Sequence, residues 1–344
     1  MDAAGACPGV KVSVVIPVFN AARDLRACLD AVLRQTQCEI EVLCVDDGST
    51  DESGAVLAAY AARDPRVRVL HQANAGQGAA RNRGLELARG EYVYFMDADD
   101  ELAEPDALAR LAGTMDAERL DVLFFDAETR PDPGVAVDAR VLRADDYIRR
   151  HDYSRTRSGR ELFADMLGRR EFSVSPCLMM LRRAFVEARR LRFPSARIFY
   201  EDNIFMTQVV LAAERASHRP WRLYVRKVHA GSTVMSRPTA RHLRGYLACY
   251  LDARRLLDGQ VWDRATRRAL TERLVQYKLN VRRIVDACPE VASEAAREMT
   301  AADRAELAAV RDYPLAEKLA NGWRCLRQHG FAYTVRRILF GRQP

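Results

Sequence analysis

No stretch of this 344-residue chain approaches the ~20 consecutive apolar residues of a bilayer-spanning helix, so no membrane span is expected. Met1 to Val10 has neither the basic region nor the apolar run of a secretion signal, which predicts a cytoplasmic chain. The eight cysteines (Cys7, Cys28, Cys38, Cys44, Cys177, Cys249, Cys288 and Cys325) form no C-x-x-C pair and have no histidine at metal spacing. That argues against a zinc module and a disulfide framework, and predicts reduced core thiols. Internal repeats and low-complexity tracts are also missing. Acidic residues fall short of basic ones, leaving a net charge of +7 that is mostly arginine. This excess would suit a phosphorylated substrate or an anionic membrane surface. It makes no aromatic-lined single-strand platform and no recognisable nucleic-acid motif, so nucleic acid is not an expected partner.

Apolar and charged fractions of 49% and 29% are those of a globular protein. Strand patterns fall at Lys11–Val18, Glu39–Val45, Val67–Leu70, Tyr92–Met96, Asp121–Phe125 and Trp221–Val228. Helical patterns separate them. Leu25, Cys28, Leu29, Val32 and Leu33 recur at one-faced spacing, with Asn20 as a candidate cap. Ser49-x-x-Glu52 reads as a capping box and Pro105 as a first helical residue. A strand–helix–connection runs over Leu178–Phe199, and a helix over Asn203–Ala213. From Arg241 onward only helical patterns remain, which places a boundary near residue 238. Strand–helix alternation with short links predicts an α/β fold, a mostly parallel sheet flanked by helices that binds at the strands' carboxyl ends.

Four polar clusters follow strands and would converge there: Pro17–Asn20, Asp46–Ser49, Gly76–Asn82 and Asp97–Asp100. In the last, an apolar strand runs into Asp97-Ala98-Asp99-Asp100, and alternation points Asp97 and Asp99 to one side. Two carboxylates there suit a hard divalent cation, Mg²⁺ or Mn²⁺, shared with a substrate phosphate; an acidic turn opening a helix would give the same residues. Gly76-x-Gly78 before a helix offers backbone N–H groups to a phosphate, with Arg81 beside them. A third glycine is missing and the motif follows the third strand, so a dinucleotide fold is not expected. Asp47 could accept from a base N–H, or could simply shape the turn.

Together, VSVVIPVFNA (12–21), VDDGSTDES (45–53), NAGQGAARNRGLELARGEYVYFMDADD (74–100), YEDNIF (200–205) and LYVRKVHAGSTVMSR (223–237) resemble family 2 glycosyltransferases. The resemblance covers roughly residues 11–238. It implies a GT-A catalytic domain at 1–238, with a nucleotide-sugar half (about 11–126) and an acceptor half (about 127–238), and a helical extension at 239–344. It also implies a nucleotide-sugar donor, UDP-linked on family grounds, a divalent metal, and transfer with inversion. Pro17, Val18, Phe19, Asn20, Asp47, Gly76, Gly78, Arg81, Asp97 and Ala98 would bind the donor nucleotide. Asp99 and Asp97 would hold the metal, with His229 either a further ligand or an ordinary hydrogen-bonding surface residue; Arg226, Lys227 and Arg237 would frame a diphosphate loop. Asp202 would be the catalytic base, with Glu201 the alternative. Ser175–Leu181 lacks the aromatic and lysine many relatives carry before the Glu-Asp helix, so an acceptor contact differs. The expected acceptor is a glycan or lipid-linked glycan of surface polysaccharide synthesis; a catalytically degenerate scaffold is the rival reading. Residues 322–344 combine aromatics with arginines and no acid, the composition either of a helix whose apolar face packs on the catalytic domain or of a segment touching an anionic leaflet at the inner face of the cell membrane.

Overall fold

In the computed structural model, residues 9–37, 39–132, 147–228 and 237–311 are described. Four consecutive βα units open the chain: β1 (Val12–Val18), α1 (Leu25–Leu33), β2 (Ile40–Asp46), α2 (Ser53–Arg63), β3 (Val67–His71), α3 (Gln77–Leu87), β4 (Tyr92–Phe95) and, after the two-residue β5 (Glu101–Leu102), α4 (Ala107–Ala117). The second half adds β6 (Val122–Pro131), α5 (Gly159–Gly168), β7 (Met179–Arg182), α6 (Arg183–Ala188), α7 (Glu201–Ala212) and β8 (Ala216–Val228). Four further helices follow: α8 (Ala240–Gly259), α9 (Arg264–Ala287), α10 (Pro289–Glu298) and α11 (Ala301–Arg311).

One eight-stranded sheet has the order β3-β2-β1-β4-β7-β6-β8-β5. The β3-β2-β1-β4 half is parallel throughout, as βα units require. Beyond it the sheet is mixed: β7 runs antiparallel to both neighbours, β6 and β8 pair in parallel, and β5 pairs antiparallel. Both faces are covered, which is why the strands read as unbroken apolar runs. Val14 and Ile16 pack with Leu29, Leu57 and Leu108 on one face, while Val15 packs with Leu85, Phe163 and Phe205 on the other. Each fully buried Leu or Phe of this kind contributes roughly 1.5–3 kcal/mol. Cys28, Cys44, Cys177 and Cys249 are free, buried thiols.

Local start signals fared less well than strands. Asn20 does not cap α1; it lies in the left-handed region (φ 50°) and its Oδ1 accepts from Thr50 N at 2.8 Å. Ser49 and Glu52 form no capping box, because Ser49 Oγ accepts from Asn20 N instead. Pro105 precedes α4, whose first residue is Ala107. Asn20 and Ser49, both suited to a cap, are instead recruited by each other's loops.

The helical region is tied to the sheet domain. Ile204 of α7 joins a core with Leu243, Leu247, Tyr277 and Val281, and Leu270 of α9 packs in the core that holds Phe205. Among the described residues, no helix is long and apolar enough to cross a membrane. Residues 322–344 lie outside those described. A buried polar cluster was not foreseen: Asp126 Oδ1 meets Arg149 Nη1 at 3.1 Å and His218 Nε2 at 2.8 Å, all three side chains 1% exposed.

Candidate active site

The four polar clusters lie past the ends of adjacent strands and are stitched together by hydrogen bonds. Asn20 joins the first to the second through Ser49 and Thr50. Asp47 joins the second to the third. It is 3% exposed, and its carboxylate accepts from Gln72 Nε2, Ala75 N and Gly76 N, each at 2.8 Å. Its observed work is therefore to hold the loop that opens α3. Gly76, the residue before that helix, has φ 96°, a conformation that costs glycine little and other residues strain. Its neighbour Gly78 sits against Glu201 and Pro194.

The third cluster reaches the fourth through α3. Gln77 Nε2 and Arg81 Nη2 donate to Asp97 Oδ1 at 2.9 and 2.8 Å. Arg81 is 2% exposed and also meets Glu201 Oε1 at 3.3 Å, so one buried guanidinium spans both acids. Its Nε is buried with no partner among the described residues.

The strand ahead of Asp97 ends at Phe95, two residues before the carboxylates, and Asp97–Asp100 forms a turn with Asp100 N donating to Asp97 O at 3.3 Å. Ala98 packs in the core, while Asp97 and Asp99 are half-buried. Asp100 plays a separate role. It is buried, and accepts from Tyr224 OH at 2.6 Å and Lys227 N at 2.7 Å, locking the turn to β8. Burial, and then the negative charges of Asp99 and Asp97, push its carboxyl well above the usual range.

Asp202 and Glu201 begin α7 and diverge. Glu201 turns to Arg81; burial raises its carboxyl from 4.5 to about 6, with Arg81 opposing the rise. Asp202 lines a cavity of about 140 Å³ together with Gln77, Arg81, Asp97, Ser175 and Arg226. Its carboxyl is also raised, by burial first. A larger cavity, about 490 Å³, carries Arg150, Arg170 and Phe172 and shares Tyr147 and Val174 with the first. Pro17 and Val18 are buried in β1, whereas Phe19 is 48% exposed at its end.

The basic strand divides its residues. Arg226 lines the smaller cavity, its guanidinium 5.1 Å from the Tyr147 ring centre. Lys227 does not join it: alternation along β8 sends its Nζ to Glu101 at 2.6 Å and Asp24 at 3.8 Å. Arg237 is exposed, and His229 lies outside the described residues.

Helix α8 braces the start of α7. Tyr200, left-handed at φ 67°, stacks on Tyr246 at 4.0 Å and its carbonyl accepts from Cys249 Sγ at 3.4 Å. A Cβ on Gly245 would fall 2.0 Å from Phe199 O, so only glycine permits this approach. Gln77, Tyr224 and the α8 contacts carried no sequence signal, since each acts through a partner distant in the chain.

Among the described residues, no three His, Cys, Asp or Glu side chains gather closely enough to enclose a metal. Two half-buried carboxylates in one short turn nevertheless suit a hard cation that takes its other ligands from phosphate and water.

The model of "Glycosyl transferase family 2" matches residues 13–190. Among curated proteins, the chain is 31% identical over 252 residues to the uncharacterized glycosyltransferase YibD of Escherichia coli (strain K12), covering 72% of this chain and 70% of that one. It is 28% identical over 222 residues to the succinoglycan biosynthesis protein ExoO of Rhizobium meliloti (strain 1021), covering 64% and 62%. Similar solved structures include S. aureus TarS 1–349 in complex with UDP-GlcNAc (TM-score 0.61, 20% identity, 87% of this chain and 79% of that one). Another is the mannosyltransferase PcManGT from Pyrobaculum calidifontis with GDP-Man and Mn²⁺ (TM-score 0.56, 18% identity, 97% and 89%). These two share the GT-A fold with this chain.

Proposed function

The chain belongs to glycosyl transferase family 2 and is a glycosyltransferase, and on that premise we propose that it moves a sugar from a nucleotide-sugar, with inversion, to a hydroxyl of a growing, lipid-linked glycan in surface polysaccharide synthesis. The observation that carries this reading is the smaller cavity, where Asp202 and Asp97 share one space with Arg81 and Gln77. A UDP-sugar is the favoured donor; the TarS complex carries UDP-GlcNAc and the PcManGT complex GDP-Man. The ExoO name supports the polysaccharide context.

In this reading Phe19 stacks on the nucleotide base, with Pro17, Val18 and Asn20 beneath it, and Asp47 acts by fixing the Gly76 loop. The N-terminus of α3, which no side chain caps, and Arg226 face the diphosphate. Asp97 and Asp99 would hold Mn²⁺ or Mg²⁺, which when bound offsets charge developing on the departing diphosphate. Asp202 takes the proton of the acceptor hydroxyl as its oxygen bonds to the anomeric carbon and the bond to the diphosphate breaks. Glu201 keeps Arg81, and through it Asp97, in place. The larger cavity, which shares the lining residues Tyr147 and Val174 with the first, receives the acceptor. Work at the cytoplasmic membrane face, with 322–344 touching anionic lipid, belongs to the same proposal.

Thermal unfolding with UDP, GDP or CMP, each with Mn²⁺ or with EDTA, tests it. A nucleotide at ~100 times its dissociation constant adds roughly 2.7 kcal/mol. One nucleotide should raise the midpoint only with metal, and Asp99→Asn should abolish the rise. If no nucleotide raises it under either condition, the scaffold reading replaces this one.

A further inference from the structure

The helical region reaches the proposed base through the Asn203 side chain. Asn203 donates twice to Asp202 Oδ1, from its backbone N at 2.8 Å and from Nδ2 at 3.0 Å. Its own Oδ1 accepts from Arg273 Nη2 at 2.7 Å and Tyr277 OH at 3.1 Å, both on α9. These donors fix the amide's orientation, for a flip would set its NH₂ against a guanidinium.

The spacing of Arg273 and Tyr277, four residues apart, puts them on one face of α9. Arg273 lies 4.8 Å from the Tyr277 ring centre and 5.9 Å from that of Phe172, a wall of the larger cavity. Tyr277 is 4% exposed. Both donors are therefore held by packing before any substrate arrives, as a preorganised site requires. A free aspartate could rotate away from the acceptor hydroxyl, whereas one oxygen gripped by Asn203 leaves the carboxylate a single orientation.

We propose that Arg273 and Tyr277 are positioning residues, holding the Asp202 carboxylate in its proton-accepting orientation through Asn203. The inference rests on Asp202 being the base. It makes α9 part of the transfer machinery as well as a packing element, because an error of about 1 Å at the base can lower turnover about 10²-fold.

The full chain and its variants Asp202→Asn, Asn203→Ala, Arg273→Met, Arg273→Lys and Tyr277→Phe are assayed with Mn²⁺ for nucleotide release from UDP-GlcNAc and GDP-mannose, and for UDP and GDP binding by calorimetry. Turnover should fall about 10²-fold in Asn203→Ala and about 10-fold in Arg273→Met and Tyr277→Phe, with partial rescue in Arg273→Lys and unchanged nucleotide affinity. Turnover within about twofold of wild type in the α9 variants overturns the proposal. So does a loss matched by equally weaker nucleotide binding. Should Asp202→Asn keep its rate, the base assignment itself fails; should it alone lose activity, only the relay fails. Crystal structures give a readout that needs no turnover: Asp202 should adopt another rotamer in Asn203→Ala and Tyr277→Phe. An unmoved carboxylate there refutes the relay. Tyr277→Phe, which deletes one hydroxyl, decides the matter if Asn203→Ala does not fold.

Discussion

Replacing Arg81 by leucine removes the cation that bridges two acids of the site. Its guanidinium contacts Asp97 at 2.8 Å and Glu201 at 3.3 Å. The Asp97 side chain is 29% exposed, so water compensates most of that loss, worth under about 1 kcal/mol. Glu201 is 9% exposed, and a buried charge stripped of its partner costs about 3–5 kcal/mol. The expected loss is therefore about 3–5 kcal/mol near neutral pH, dominated by Glu201. Its pH dependence follows from the raised carboxyl, at about 6 folded against 4.5 in the unfolded chain. An acid raised on folding binds more protons in the native state, so stability falls as pH rises through that window and the penalty is complete above it. Without Arg81 the folded value climbs further. The variant's deficit should then shrink as pH falls toward about 5, where Glu201 regains its proton. Urea unfolding of both proteins at about pH 7.5 and about pH 5 measures this. Glu201→Gln should restore most of the loss in the double variant, because the two sites are coupled. A deficit below about 1 kcal/mol, or one equal at both pH values, would refute the reasoning.

Two further outcomes are expected. Gly245→Ala forces a Cβ to 2.0 Å from Phe199 O, which should destabilise the fold by about 1–3 kcal/mol in thermal melts and slow turnover more than it weakens nucleotide binding. Burial holds His218 below its usual 6.5, with Asp126 opposing and Arg149 adding to the shift. The unfolded chain therefore takes up a proton there first, and stability should fall as pH drops below about 6.5. His218→Gln should flatten that slope in a pH series of urea unfolding curves, and a slope equal to wild type removes His218 as its cause.

Much of the fold was legible because its signals are local. Apolar runs such as Val12–Val18 and Ile40–Asp46 are buried on both faces, so composition alone marks them as strands. Motifs at the ends of β1 to β4 follow from the same alternation, since parallel strands bring their carboxyl ends together. Start signals were less dependable: Asn20, Ser49 and Glu52 have the side chains of caps, but a loop from another strand captured the first two.

The sequence by itself determined the family, the parallel half of the sheet and the presence of acids after β4 and at the start of α7, because each is written in contiguous residues. Only the tertiary structure decided what those acids touch. Arg81 lies 120 positions from Glu201, Asp100 lies 124 from Tyr224, and Asn203 lies 70 from Arg273. Whether a carboxylate holds a neighbour or faces open space depends on which distant side chains the packing brings within about 3 Å, a distance set by the whole core.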